Sequence, residues 1–222
     1  MTLLHKKLEC ELIEVDPYNE TDWWMKISRN TAQVPVIEYF DQENNKQTRV
    51  VDSTRVVEFL EELKPTFNPI LPNSPAIRAE HRYWVDHINK KIVPYFYRFL
   101  KARNSGKYRD SSRENLLEGL KLLSSQIPNQ SPYFSGNSMG IIDILLIPFA
   151  HRIDLLLSHY RNFELPIIGD DWQKYQSWYS RMLQEPIFKA TSTDHANYKQ
   201  RLIEFYFPYS QGGGQNDVTH IQ

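Results

Sequence analysis

The chain has 222 residues, with 26 Lys and Arg against 27 Asp and Glu and a net charge of −1. The charges are interspersed, which leaves no basic field for nucleic acid and no acidic tail for a basic partner. No apolar run reaches the ~18 residues of a membrane span, and no apolar segment of signal-peptide type opens the chain, so neither an anchor nor a leader is expected. The longest run, Ile141 to Ala150, is interrupted by Asp143 and Pro148 and reads as a buried core helix. The one cysteine, Cys10, excludes an internal disulfide framework and suits a reducing cytosol. The seven histidines show no metal-ligand spacing, and no metal is expected.

In chain order, residues 2–7 resemble the tail of a helix too short to stand alone. Leu8 to Val15 is predicted as a strand, bounded by Asp16-Pro17. Cys10 alternates there with Leu8 and Leu12, so core packing is its expected role. A short helix over Thr21–Ile27 is capped near Thr21, with Trp23 and Trp24 packing it onto a sheet. Val34 to Phe40 and Gln47 to Val51 form a hairpin around the polar turn Asp41 to Lys46. Ser53 to Leu63 is a helix with Val56, Val57, Leu60 and Leu63 on one face.

Lys64 to Pro75 has four prolines and no helical period, and reads as a linker. Every later segment is helical. Ser74-Pro75 caps a helix that runs to about Arg103, with a kink expected at Pro94. Helices follow over 111–126, 140–158 (bent at Pro148), 169–184 and 194–206. The boundaries are therefore 1–64 for a first domain, 65–75 for the linker, 76–207 for an all-α domain and 208–222 for a disordered tail.

Two local features stand out. Pro35 interrupts a strand pattern, where it donates no ladder hydrogen bond. A cis Val34–Pro35 bond resolves the conflict by turning the N–H and C=O of Val34 toward a ligand. Seventeen residues after Pro35, Asp52-Ser53 opens a helix, whose N-terminus attracts a carboxylate. Together they fit an extended peptide with a charged amino-acid end.

These residues resemble the glutathione transferase superfamily, most closely its omega class. The carriers are Glu14-Val15-Asp16-Pro17-Tyr18-Asn19, Asp22-Trp23-Trp24, Gln33-Val34-Pro35-Val36 and Val51-Asp52-Ser53. The helical part adds Phe134-Ser135-Gly136-Asn137-Ser138 running into Ile142-Asp143-Ile144-Leu145 and Pro148. The resemblance covers the chain to about Tyr206. It implies an α+β fold: an N-terminally truncated thioredoxin-like domain followed by an all-helical glutathione-transferase domain.

It further implies glutathione as the cofactor, with a small electrophilic or disulfide substrate and no nucleic-acid or membrane partner. Val34 would pair through its backbone with the cysteinyl unit, and Pro35 would hold the turn. Asp52 would take the γ-glutamyl ammonium, Ser53 the carboxylate beside it, and Gln33 the glycyl end. Asp52 stands where the family usually has glutamate. Tyr95, Phe96, Phe99 and Tyr198 are candidates to line the acceptor site, against core packing as the plainer role of the aromatics. Asp143 resembles a buried structural aspartate that caps the preceding loop, with Gly140 at the weaker cap position.

The family's first strand and the start of its first helix, which carry the omega cysteine, should precede His5. No catalytic residue is therefore assigned, and turnover is expected to be low. The activity implied is glutathione-dependent thiol transfer or dehydroascorbate reduction. The alternative is a non-catalytic module of the same fold that binds glutathione or a partner. The resemblance favours a homodimer in the cytoplasm.

Overall fold

The structure, a computed structural model, describes residues 1–16 and 19–213. The chain divides between Pro69 and Ile70 into two compact units.

In the first unit the described elements are α1 (Thr2–Lys6), α2 (Asp22–Ile27), β1 (Val36–Asp41), β2 (Lys46–Val51) and α3 (Ser53–Leu63). Five residues do not hold a helix by themselves. Tertiary contacts hold α1: the fully buried Lys6 pairs with Glu61 of α3, and its Nζ donates to the carbonyls of Lys64 and Phe67, each at 3.0 Å. The Thr21 hydroxyl caps α2 by accepting from the Trp24 N–H at 3.2 Å. Trp24, Ile27 and Ala32 form a buried cluster joined by Val15, Met25 and Val36. Trp23 stays half exposed, so only one of the two tryptophans packs inward.

The hairpin is antiparallel, with Val36 opposite Val51 at one end and Asp41 opposite Lys46 at the other. Its turn is built by Asp41, whose carboxylate accepts from the N–H groups of Glu43 and Asn44 and from the Asn44 amide.

The predicted strand Leu8–Val15 does not form. Residues 9–15 are irregular, and Leu12 and Ile13 are 80% and 58% exposed. A strand exists only by pairing, and among the described residues none lies alongside this segment; the sheet is β1 and β2 alone. Cys10 is consequently exposed, not packed in a core.

In the second unit the helices are α4 (Pro75–His87), α5 (Val93–Lys101), α6 (Lys107–Ser124), α7 (Ile141–Arg152), α8 (Ser158–Arg161), α9 (Asp170–Met182), α10 (Pro186–Ala190) and α11 (Tyr198–Ser210). A π turn over Ile88–Ile92 joins α4 to α5, just before Pro94. Pro94 has no N–H to bond a carbonyl four residues back, and its ring would collide with that carbonyl in a tight helix. The wider turn accommodates both. A second π turn, Ile153–Leu157, joins α7 to α8. The core is formed by Ile92, Phe96, Leu100, Leu116, Leu120, Leu146, Ile147 and Ile153, all fully enclosed.

Two differences from the sequence reading lie at the C-terminal end. The short helix α10 begins at Pro186, which lies in its first turn. The predicted tail from Pro208 begins as helix instead, because α11 runs through Pro208 to Ser210. Arg161 explains this extension: its guanidinium donates to the carbonyls of Phe99 (3.2 Å), Tyr160 (2.7 Å), Ser210 (2.6 Å) and Leu100, fixing the end of α11. The rest of that tail, 214–222, lies outside the described residues. No described helix is long and apolar enough to cross a membrane.

Candidate functional site

The loop between α2 and β1 is organised by two hydroxyls. Ser28, fully buried, donates to the Met25 carbonyl at 3.3 Å and accepts from the Ala32 N–H at 3.1 Å. Thr31 donates to the Ser28 carbonyl at 2.7 Å and accepts from the Gln33 N–H at 3.3 Å. With these bonds in place the backbone turns through three non-glycine residues of positive φ, Arg29 (56°), Asn30 (60°) and Ala32 (51°). Such conformations are costly for L-residues and persist only where the surroundings impose them. Arg29 ties the loop to β2 by donating to the Arg49 carbonyl at 2.8 Å. Sequence reasoning overlooked Ser28, Arg29 and Thr31; the only signal was a Ser-x-x-Thr between helix and strand, which is a common turn composition.

This loop delivers Gln33 and Val34 to the surface, with Val34 55% exposed, and the Val34–Pro35 bond is cis. The β1 ladder begins only at Val36. The N–H and C=O of Val34 are thus outside it and available to an extended ligand.

The other half of the site follows from the register. Val36 pairs with Val51, so the residues just outside the ladder, Pro35 and Asp52, are neighbours across the hairpin. Asp52 has φ 75° and ψ 126°, a sparsely populated region for any residue but glycine. Its Oδ1 accepts from the N–H groups of Thr54 (3.0 Å) and Arg55 (3.1 Å), capping α3. Both bonds use one oxygen, which leaves Oδ2 for another donor. Ser53 is exposed at the first position of α3, where its N–H has no helical partner. Chemically the arrangement sets an unladdered backbone turn next to one carboxylate oxygen, one hydroxyl and a helix-terminal N–H, groups of the kinds that suit an ammonium and a carboxylate.

The remaining candidates lie in the helical unit. Phe96 and Phe99 are 0% and 2% exposed, and both belong to its core. Phe96 meets the edge of Tyr206, and Phe99 packs against Phe163 at 5.2 Å. As acceptor-lining residues they are corrected to packing residues, because they fall on the inward stripe of α5. Tyr95, on a different face, is half-buried with the Arg98 guanidinium 5.0 Å above its ring. Tyr198 opens α11 and stacks on His151 at 5.7 Å.

Asp143 is fully enclosed and accepts from the N–H groups of Phe134 (3.1 Å) and Gly140 (2.8 Å) and from the Trp178 indole (2.8 Å). Burial pushes its carboxyl up to about 6, against those three donors, which favour the charged form. Gly140 lacks a capping side chain for a steric reason. A Cβ there would lie 2.0 Å from the Ser135 hydroxyl and 3.3 Å from the Ile70 carbonyl, which accepts from the Ile141 N–H at 2.9 Å. Among the described residues no group of three His, Cys, Asp or Glu could hold a metal ion.

No family model matches the chain. Individual relatives do. Glutathione S-transferase U25 of Arabidopsis thaliana is 30% identical over 198 residues, covering 89% of this chain and 84% of the relative. Among solved structures, glutathione transferase Omega 3C of Trametes versicolor matches with a TM-score of 0.70 at 28% identity, over 83% of this chain and 78% of that one. The Tau class glutathione S-transferase of mango (Mangifera indica) gives a TM-score of 0.75 at 21% identity, over 92% and 88%, a likeness of fold. Together with the two-unit architecture and the α+β first unit, these likenesses show that the chain belongs to the glutathione S-transferase family.

Proposed function

We propose that the first unit binds glutathione and that the protein serves omega-like, glutathione-dependent thiol transfer. The observation that carries this reading is the register of the hairpin, which sets the free backbone of Val34 beside Asp52 and Ser53. An extended γ-glutamyl peptide needs these features together. Its cysteinyl amide pairs with Val34, its ammonium meets Asp52 Oδ2, and its α-carboxylate meets the hydroxyl and N–H of Ser53. Gln33, exposed beside them, faces the glycyl end. In thiol transfer two glutathione thiols become one disulfide, and the two electrons and two protons released reduce a mixed disulfide or dehydroascorbate. Tyr95 and Tyr198 are the candidates left for the acceptor. The single cysteine suits a reducing cytosol, and the family resemblance favours a homodimer.

A second reading is supported by the position of Cys10. None of Val34, Asp52 and Ser53 supplies a thiol, and Cys10 is exposed in an irregular segment that follows the end of α1 and does not open a helix. A module that binds glutathione without turning it over fits that placement. A coupled glutathione-reductase assay with a mixed-disulfide substrate separates the two. Turnover abolished by Cys10→Ala makes Cys10 the nucleophile. Glutathione binding without turnover supports the second reading. Absence of glutathione binding overturns both.

A further inference from the structure

The helical unit holds a cavity that the glutathione reading does not use. Its volume is about 370 Å³, and it is bounded by α4, the 126–136 segment and the start of α7. On α4, Ile77, His81 and Trp84 recur at intervals of four and three residues, so they share one helix face and line the cavity together. Phe134, Ser135 and Ile142 supply further wall. The fold builds that wall without a ligand. Tyr133 and Gly136 exchange backbone hydrogen bonds at 3.2 and 3.1 Å, the Phe134 N–H donates to Asp143 at 3.1 Å, and the Phe134 ring meets Trp178 edge-on at 5.6 Å.

Two polar side chains of the wall lack partners. His81 is 7% exposed, and its buried Nδ1 has no partner among the described residues; the enclosed Ser135 hydroxyl has none either. Buried polar atoms of folded proteins are nearly always bonded to protein or water. One or two waters of ~30 Å³ each would satisfy both atoms and leave most of the cavity, bounded by aromatic and aliphatic side chains, unfilled. Burial lowers His81 more than Glu80 raises it, so the imidazole is neutral at pH 7. With Nδ1 unbonded, the tautomer is left to a ligand. A ligand hydroxyl serves either tautomer, because it both donates and accepts; a carbonyl or an N–H serves only one. Glu80 is the one charged residue lining the cavity, and it disfavours a carboxylate.

We propose that this cavity binds a small uncharged phenol, whose hydroxyl bonds the His81 imidazole and whose ring packs among Trp84, Phe134 and their aliphatic neighbours. The site is made wholly of residues of the helical unit and stands apart from the glutathione reading of the first unit. Aromatic walls favour an aromatic occupant through edge and face contacts. A site whose buried polar group needs a hydroxyl rejects the analogue that lacks one, because that group then stays unpaired.

The test is calorimetric titration of the whole chain with p-cresol, toluene and 4-hydroxyphenylacetate, with His81→Phe and Glu80→Gln alongside. Wild type should bind p-cresol saturably and at least about fivefold more tightly than toluene, which has the same ring and methyl group but no hydroxyl. His81→Phe keeps an aromatic ring without nitrogens and should bring the two ligands to within about twofold of each other. 4-Hydroxyphenylacetate should bind wild type at least about threefold more weakly than p-cresol, and Glu80→Gln should narrow that gap. The wild-type preference for p-cresol over toluene is a readout that stands if His81→Phe fails to fold. No saturable p-cresol binding, toluene or 4-hydroxyphenylacetate bound as tightly as p-cresol by wild type, or an unaltered preference in folded His81→Phe overturns the proposal.

Discussion

Val36 stands opposite Val51 at the open end of the hairpin, and this pairing joins the two halves of the candidate site. Beyond Val36 in one direction lies the cis Val34–Pro35 turn; beyond Val51 in the other lies the strained cap Asp52. A slip by one residue would reverse the faces of every side chain in β2 and carry Ser53 away from Val34. The hairpin is short, and near its middle Glu38 accepts from Arg49 at 2.7 Å and, diagonally, from Gln47 at 3.1 Å. These cross-strand bonds and the Asp41 turn fix the register.

Asp143 makes the helical unit pH-dependent. Its folded pKa of about 6 exceeds the ordinary 3.8 because burial disfavours the charge. The folded state therefore holds a proton that the unfolded state has released between those values, so this residue's contribution to stability falls as pH rises from about 4 to about 6. The full effect is on the order of 3 kcal/mol. Urea midpoints measured across this window should decline with pH for wild type. Asp143→Asn should be flat in the same window and less stable throughout, since its amide N–H₂ meets N–H donors.

Arg161 donates to four carbonyls from three parts of the unit. Arg161→Ala leaves those acceptors enclosed without a donor, at a cost of roughly 1–3 kcal/mol for each that water cannot reach. Thermal unfolding should shift down by several degrees, and amide exchange should rise first at 207–211. Arg161→Lys should recover little, because one ammonium cannot span acceptors arranged around a planar fork.

Gly140 is required by Ser135 rather than by its own backbone, whose φ of −118° suits any residue. Gly140→Ala places a methyl 2.0 Å from the Ser135 oxygen and should cost about 1–3 kcal/mol. Adding Ser135→Gly should restore most of the loss in a double-mutant comparison. A single-mutant cost that Ser135→Gly does not relieve would point instead to the Ile70 carbonyl as the obstacle.

The sequence was most informative where local chemistry decides the structure. Thr21, Asp41 and Asp52 act as caps and turn-formers through atoms within three residues of themselves, and all three elements form near their expected places. It was least informative where a distant partner decides. Leu8–Val15 has strand composition but no strand beside it among the described residues, and Cys10 is exposed for the same reason. Pro208 has the composition of a helix end, yet Arg161, far along the chain, holds the Ser210 carbonyl and keeps the helix going. At the candidate site Gln33, Val34, Pro35, Asp52 and Ser53 were legible as a pattern. Ser28 and Thr31, which shape the loop that presents them, were not, since a hydroxyl's partner in a turn is invisible without the backbone path. Phe96 and Phe99 were misplaced because consecutive aromatics on a helix face different ways, and only packing shows which face inward.

The most direct test is calorimetric titration of glutathione into wild type and Ser53→Ala, with cysteinylglycine as the ligand lacking the γ-glutamyl end. Ser53 is the suitable position, because Asp52 also caps α3 and its loss would weaken the helix. The expected result is saturable glutathione binding by wild type, weakened at least about tenfold by Ser53→Ala through loss of a hydrogen bond to a charged group, with weak cysteinylglycine binding that the substitution leaves unchanged. Glutathione affinity equal in wild type and Ser53→Ala, or no binding by wild type, would contradict the assignment of Val34 and Asp52-Ser53 as the glutathione clamp.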